Sequence, residues 1–177
     1  MLTALFDTYG LERFLYAETV QVEDGVIPHS HPVLTLSPRT VGAQYLEDSI
    51  ALLAAYIHEQ MHWFSLLESH GENGRLAIRR FEALYPGLPT DRPGGCGSTF
   101  STYLHILVNW LEFEGLRDVL GEARARREIA SRSFYTAVYK VVLEHDEEIR
   151  TVLSAHNLLL PAKPPADKVF RKVEPKS

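Results

Sequence analysis

The chain has one cysteine, Cys96, in 177 residues. A lone thiol closes no internal disulfide, so stability rests on the core, and this usage is compatible with a reducing compartment. Long apolar runs are also missing. The longest, Ile50 to Ile57, falls far short of the roughly 20 residues that span a bilayer, so no membrane partner is expected. The opening MLTALFDTYGLERFLYAE has neither a basic n-region nor an extended apolar segment. It does not read as a signal peptide, and the expected location is the cytoplasm. Basic residues are not in excess. With 18 Lys and Arg against 23 Asp and Glu, the net charge is −5, which argues against a nucleic-acid partner. No internal repeat is present.

What remains is an ordinary globular composition, 45% hydrophobic and 23% charged, long enough to bury a sizeable core in one domain. The expected organisation is a single domain over residues 1–160 and a Pro- and Lys-rich tail over 161–177, PAKPPADKVFRKVEPKS. Arg124, Arg126, Arg127 and Arg132 alternate with Glu122 and Glu128, the pattern of a solvated helix face.

Residues 13–36 read as β structure. Phe14, Tyr16, Val20 and Val22 alternate onto one face, Asp24-Gly25 is a hairpin turn signal, and Pro28 and Pro32 push the return strand to an edge before Val33 to Leu36 resumes it. A helix is expected from about Val41 to Ser69, stopped by His70-Gly71-Glu72-Asn73-Gly74. A further helix covers about Arg75 to Leu84, and the Pro- and Gly-rich 85–98 is loop. Ser98 or Thr99 caps a helix that ends near Gly121, and a short charged helix covers 122–130. A last long helix runs from Ser131 or Ser133 to about Ala155. The expected fold class is α+β: an N-terminal β-hairpin or small antiparallel sheet packed on a mainly helical core.

The chemistry concentrates in one segment. Ser49 to Leu67 reads SIALLAAYI-HEQMH-WFSLL, two apolar runs enclosing two imidazoles and a carboxylate. On a helix, His58 and His62 leave the same face one turn apart, while Glu59 lies about 100° around from His58. Burying these groups in so apolar a helix costs several kcal/mol unless they are paired, and a divalent cation is the most economical partner. Two histidines hold zinc poorly, and a catalytic site needs a third protein ligand with one position left open.

The helix at 99–120 supplies the candidates. His105, Asn109 and Glu112 fall on one stripe with Val108, Leu116 and Val119. Glu112 is the first choice for third ligand and His105 the second. Glu114 and Asp118, on the opposite side with Leu107 and Leu111, are the rival pair: they resemble the ExxxD pattern of gluzincins, which implies the glutamate as ligand and the aspartate as the residue orienting a ligating histidine. His145 reads as part of the apolar stripe of the last helix, with Val138, Val141, Val142, Ile149 and Val152, and is a candidate for stabilising an oxyanion. Tyr135 and Tyr139 are weaker candidates for that role. His29 and His31 are weaker ones for a metal, and Cys96 reads as a small loop residue rather than a nucleophile.

Residues 55–64, AYIHEQMHWF, resemble the zincin metallopeptidase signature, and 112–118 resemble the gluzincin continuation. The metzincin pattern does not fit, because Ser65 and Glu68 stand where it needs Gly and His. The resemblance implies a zincin-like core, Zn2+ held by His58 and His62, and Glu59 as general base. The expected function is a zinc-dependent hydrolase acting on a peptide or protein substrate. The alternatives are a zincin-like binding or regulatory module with a structural metal or none, and a di-iron centre. The last would require a second ExxH motif on another helix.

Overall fold

The computed structural model describes residues 2–37, 49–69 and 72–161. The described residues are mainly helical, with one two-stranded sheet, and the fold class is α+β. In chain order the elements are α1 (Leu2–Tyr9), a 3-10 turn (Leu11–Phe14), β1 (Val20–Val22), β2 (Leu34–Leu36), α2 (Ser49–Ser69), α3 (Glu72–Leu84), α4 (Thr99–Leu120), α5 (Glu122–Ala130), α6 (Thr136–Glu144) and α7 (Asp146–Ala155). None of the described helices is long and apolar enough to cross a membrane. The chain divides into two compact units, Met1–Phe64 with Pro161–Ser177, and Ser65–Leu160. The expected start of the motif helix at Val41 and residues 162–177 of the expected tail lie outside the described residues.

The first unit corrects the expected hairpin. β1 and β2 are parallel, with Val20 opposite Leu34 and Val22 opposite Leu36. Asp24-Gly25 does turn, with Gly25 in the left-handed region at φ 77°. It opens a loop, however, and the chain travels back to the start of β1 before β2 begins. On its other side Thr35 makes an isolated antiparallel bridge to His29. Nor do the four alternating residues share a buried face. Phe14 and Tyr16 are buried in or beside the 3-10 turn, whereas Val22 is 64% exposed.

The motif helix α2 is buried nearly all round, with Leu53, Ala54, Tyr56, Ile57 and Met61 in the core. A helix of this kind places every polar side chain in apolar surroundings, so each requires a partner. Gln60, fully buried, has a complete set. Its Oε1 accepts from the backbone N–H of Tyr16 at 3.0 Å and of Ala17 at 2.8 Å. Its Nε2 donates to the Ala17 carbonyl at 2.9 Å and the Tyr56 hydroxyl at 3.1 Å. Residues 16–17 lie outside the named strands and helices, and this carboxamide adds to the backbone bond that Tyr16 N–H makes to the Phe14 carbonyl at 3.0 Å.

The second unit is organised by α4, of whose residues Ile106, Leu107, Val108, Trp110, Leu111, Phe113 and Leu116 are all buried. Its start is as read from the sequence: Ser98 caps it, the side chain accepting from Ser101 N–H at 3.1 Å. Its end is set by Gly121 at φ 81°, a left-handed conformation that disfavours a side chain. The expected last helix is instead two, α6 and α7, broken at His145. The 85–98 loop is tied to α6 by Thr136 and Ala137 N–H groups, which donate to the Pro93 and Gly94 carbonyls at 2.9 and 3.3 Å. Asp146 anchors α7 to α4. Its Oδ1 accepts from Trp110 Nε1 and its Oδ2 from Arg117 Nη1, each at 2.8 Å.

The Gln60 contacts generate a test. Gln60→Leu keeps the volume but removes the carboxamide from the Ala17 N–H and carbonyl, at roughly 1–3 kcal/mol for each, while Tyr16 N–H keeps its bond to the Phe14 carbonyl at 3.0 Å. Urea unfolding of this variant is expected to show a loss of at least about 2 kcal/mol. A loss below about 1 kcal/mol would mean that Ala17 finds other partners.

Candidate metal centre

The pentapeptide His58-Glu59-Gln60-Met61-His62 lies in the middle of α2. His58 and Glu59 are buried and His62 is half-buried. The Nε2 atoms of His58 and His62 are 3.2 Å apart, their rings meeting edge to face. Two nitrogens on a tetrahedral zinc, with bonds of about 2.0–2.1 Å, are separated by about 3.3 Å, so the pair stands at the spacing of one edge of such a site.

A third imidazole belongs to the group. Ligand atoms of His58, His62 and His105 all lie within 4.8 Å of one another, close enough to bind one metal ion. His105 is buried on α4, and its Nδ1 donates to the Ser101 carbonyl one turn earlier at 2.7 Å. That bond places the proton on Nδ1 and the lone pair on Nε2, the tautomer a metal ligand needs. The Tyr135 ring packs against the same imidazole, centroids 4.6 Å apart. Tyr135 itself is a non-glycine residue at φ 56°, so the turn before α6 holds a conformation that costs about 1 kcal/mol or more.

Compared with protein-family models, curated proteins and solved structures, this chain matches none. Its site is therefore read from its own atoms.

Glu112, the residue expected as third ligand, is not in the histidine group. Its carboxylate is 1% exposed, and its Oε2 accepts from the Tyr139 hydroxyl at 2.7 Å and its Oε1 from Arg132 at 3.2 Å. Burial, reinforced by the Glu112 charge, holds the Tyr139 hydroxyl well above its usual pKa, so it remains a donor at neutral pH. Arg132 corrects its own expectation. Its side chain is only 8% exposed and faces Glu112 rather than solvent.

The rival carboxylate Glu114 is paired with Arg117 and, at 2.7 Å, with Arg150, while Asp118 is exposed. His145 does not lie on a buried stripe. It is exposed at the break between α6 and α7, where it lines a surface pocket with Arg117, Glu122, Arg126 and Glu148. The valines and Ile149 expected around it are buried. His29 and His31 are exposed, with His31 stacked on Trp63 at 4.3 Å. Burial pushes the Cys96 thiol up to about 12, leaving no thiolate nucleophile at neutral pH.

Asn109, third member of the α4 stripe, is fully buried, and neither Oδ1 nor Nδ2 has a hydrogen-bond partner among the described residues. An amide buried in this way costs roughly 1–3 kcal/mol on the protein scale.

One variant separates the roles on α4. Glu112→Ala takes from the buried Arg132 the nearer of its carboxylates, leaving Glu128 at 3.7 Å, and from Tyr139 its acceptor, and a loss of about 2–4 kcal/mol of stability is expected. Elemental analysis should find the metal content of that variant unchanged. Loss of metal with little loss of stability would return the ligand role to Glu112.

Proposed function

We propose that His58, His62 and His105 hold one Zn2+ and that the protein is a zinc-dependent hydrolase with Glu59 as its general base. The observation that carries this reading is the three-imidazole group within 4.8 Å, two members of which stand at the edge length of a tetrahedral site. Nitrogen donors in threes suit zinc, and three protein ligands leave a position open. When bound there, the ion would lower the pKa of a water molecule towards about 7.

The remaining work falls to the chain. Glu59 follows His58 directly and is 6% exposed, so its carboxylate has little solvent to compete with a proton donor. In that position it would take a proton from the attacking water and return it to the leaving group. The Ser101 carbonyl fixes the His105 ring, and Tyr135 limits its rotation. Gln60, between the two histidines, anchors α2 to residues 16–17 and so fixes the rotation of the helix that presents them.

The gluzincin-type ligand set resembled in the sequence is not favoured, since Glu112 and Glu114 both have arginine partners. Nor does the chain offer a second ExxH pair for a di-iron centre. A non-catalytic module with a closed metal site would require a fourth protein donor.

The decisive measurement is elemental analysis of protein purified without added metal. One zinc per chain is expected, lost in His58→Ala, His62→Ala and His105→Ala. Glu59→Gln should keep the zinc and lose hydrolysis of a quenched fluorescent peptide library by about 100-fold or more. Full activity in Glu59→Gln excludes that residue as base, and a wild-type protein that takes up no zinc excludes the centre.

A further inference from the structure

Tyr135 stands where the backbone favours glycine. Its φ of 56° lies in the left-handed region, which strains a bulky residue and leaves glycine almost unaffected. The other described residues in that region are glycines and Asn157, and asparagine tolerates it. The conformation is enforced from the loop at 85–98. Thr136 and Ala137 N–H groups donate to its Pro93 and Gly94 carbonyls, at 2.9 and 3.3 Å. Gly97 N–H closes the loop on the Thr90 carbonyl at 2.7 Å, and Cys96 N–H ties it to α4 through Thr102 Oγ1 at 3.1 Å. Packing is close enough that a Cβ on Gly95 would collide with the Pro89 carbonyl oxygen. One loop thus joins the starts of α4 and α6, and all these contacts lie within the second unit.

What this turn delivers is a ring. The Tyr135 side chain lies against His105 of α4, centroids 4.6 Å apart and planes at 47°, and meets Tyr139 of α6 at 6.4 Å. Tyr139 has little freedom to give way, since its hydroxyl donates to the buried Glu112 at 2.7 Å. The Ser101 carbonyl holds one edge of the His105 imidazole, through Nδ1 at 2.7 Å. The Tyr135 ring opposes the rotation that would break this bond and turn Nε2 away. We infer that Tyr135 is a positioning residue: its ring locks the His105 imidazole with Nε2 free for a metal, and the 85–98 loop holds the strained turn that keeps it there. This rests on the metal centre proposed above and adds to it the element that prepares its third ligand. A ligand side chain fixed in advance loses less rotamer freedom when the ion arrives, so affinity rises.

Zinc binding by the full chain, measured in competition with a chromophoric chelator, tests this beside melting of the metal-free protein. Tyr135→Gly and Tyr135→Asn both suit the left-handed turn and remove the ring. Each is expected to raise the zinc dissociation constant at least about tenfold, while metal-free melting stays within about 5 °C of wild type. Tyr135→Phe keeps the ring and should bind zinc within about twofold of wild type. In the metal-free proteins, imidazole nitrogen NMR shifts should place the His105 proton on Nδ1 in wild type and Tyr135→Phe, and show mixed tautomers in the other two. Zinc affinity within about twofold of wild type in Tyr135→Gly and Tyr135→Asn overturns the inference and leaves the metal centre standing. An equal loss of affinity in Tyr135→Phe also overturns it, by assigning the effect to the hydroxyl. Metal-free melting more than about 5 °C lower in both ringless variants overturns it too, by making Tyr135 a support of the fold. A wild-type protein that binds no zinc overturns the centre and this inference together.

Discussion

The constraint on which this protein depends is the burial of a polar pentapeptide inside an apolar helix. α2 has almost no solvated side around His58 to His62, so its polar atoms must be satisfied from within the protein. Gln60 meets this requirement by reaching the backbone of residues 16–17. The same bonds that satisfy the glutamine pin the irregular stretch before β1 to the motif helix. The two flanking histidines are left with their Nε2 atoms 3.2 Å apart. Two neutral imidazoles can share only one proton at that distance, and a cation satisfies both lone pairs at once.

α4 obeys the same rule with different solutions. Glu112 is neutralised by Arg132 and Tyr139, and Asp146 of α7 by Trp110 and Arg117. His105 directs Nδ1 to its own helix through the Ser101 carbonyl. Charged residues thus knit the second unit together. Asn109, on the same stripe, is fully buried, and its carboxamide atoms have no hydrogen-bond partner among the described residues.

Much of this was legible in the residues. The motif helix, the Ser98 cap, the Gly121 break and the charged helix at 122–130 each have a local cause: apolar density, a side-chain acceptor, or a glycine at positive φ. The parallel strand pair was not, because strands of three residues carry little alternation and their partner is fixed by the path of a loop. The break at His145 was hidden by valines and isoleucine that keep helical spacing across it. Arg132 was misread for a related reason. The charged helix before it, with Arg127 and Glu128, suggests a solvated face, but its nearer partner, Glu112, lies twenty residues away on α4.

The choice of third ligand shows where sequence reasoning ends. His105, Asn109 and Glu112 share one stripe, and spacing alone does not rank them. What ranks them is the chemistry that arrives from elsewhere in the chain. An arginine and a tyrosine hydroxyl converge on Glu112, and a backbone carbonyl sets the tautomer of His105. The proposed ligand set has a chemical consequence. Three neutral imidazoles would leave a dication its whole charge, whereas a carboxylate ligand would offset part of it, and a centre of that kind would acidify water strongly. In the proposed centre Glu59, next in sequence to a ligand, would act as a proton carrier rather than as a donor to the metal.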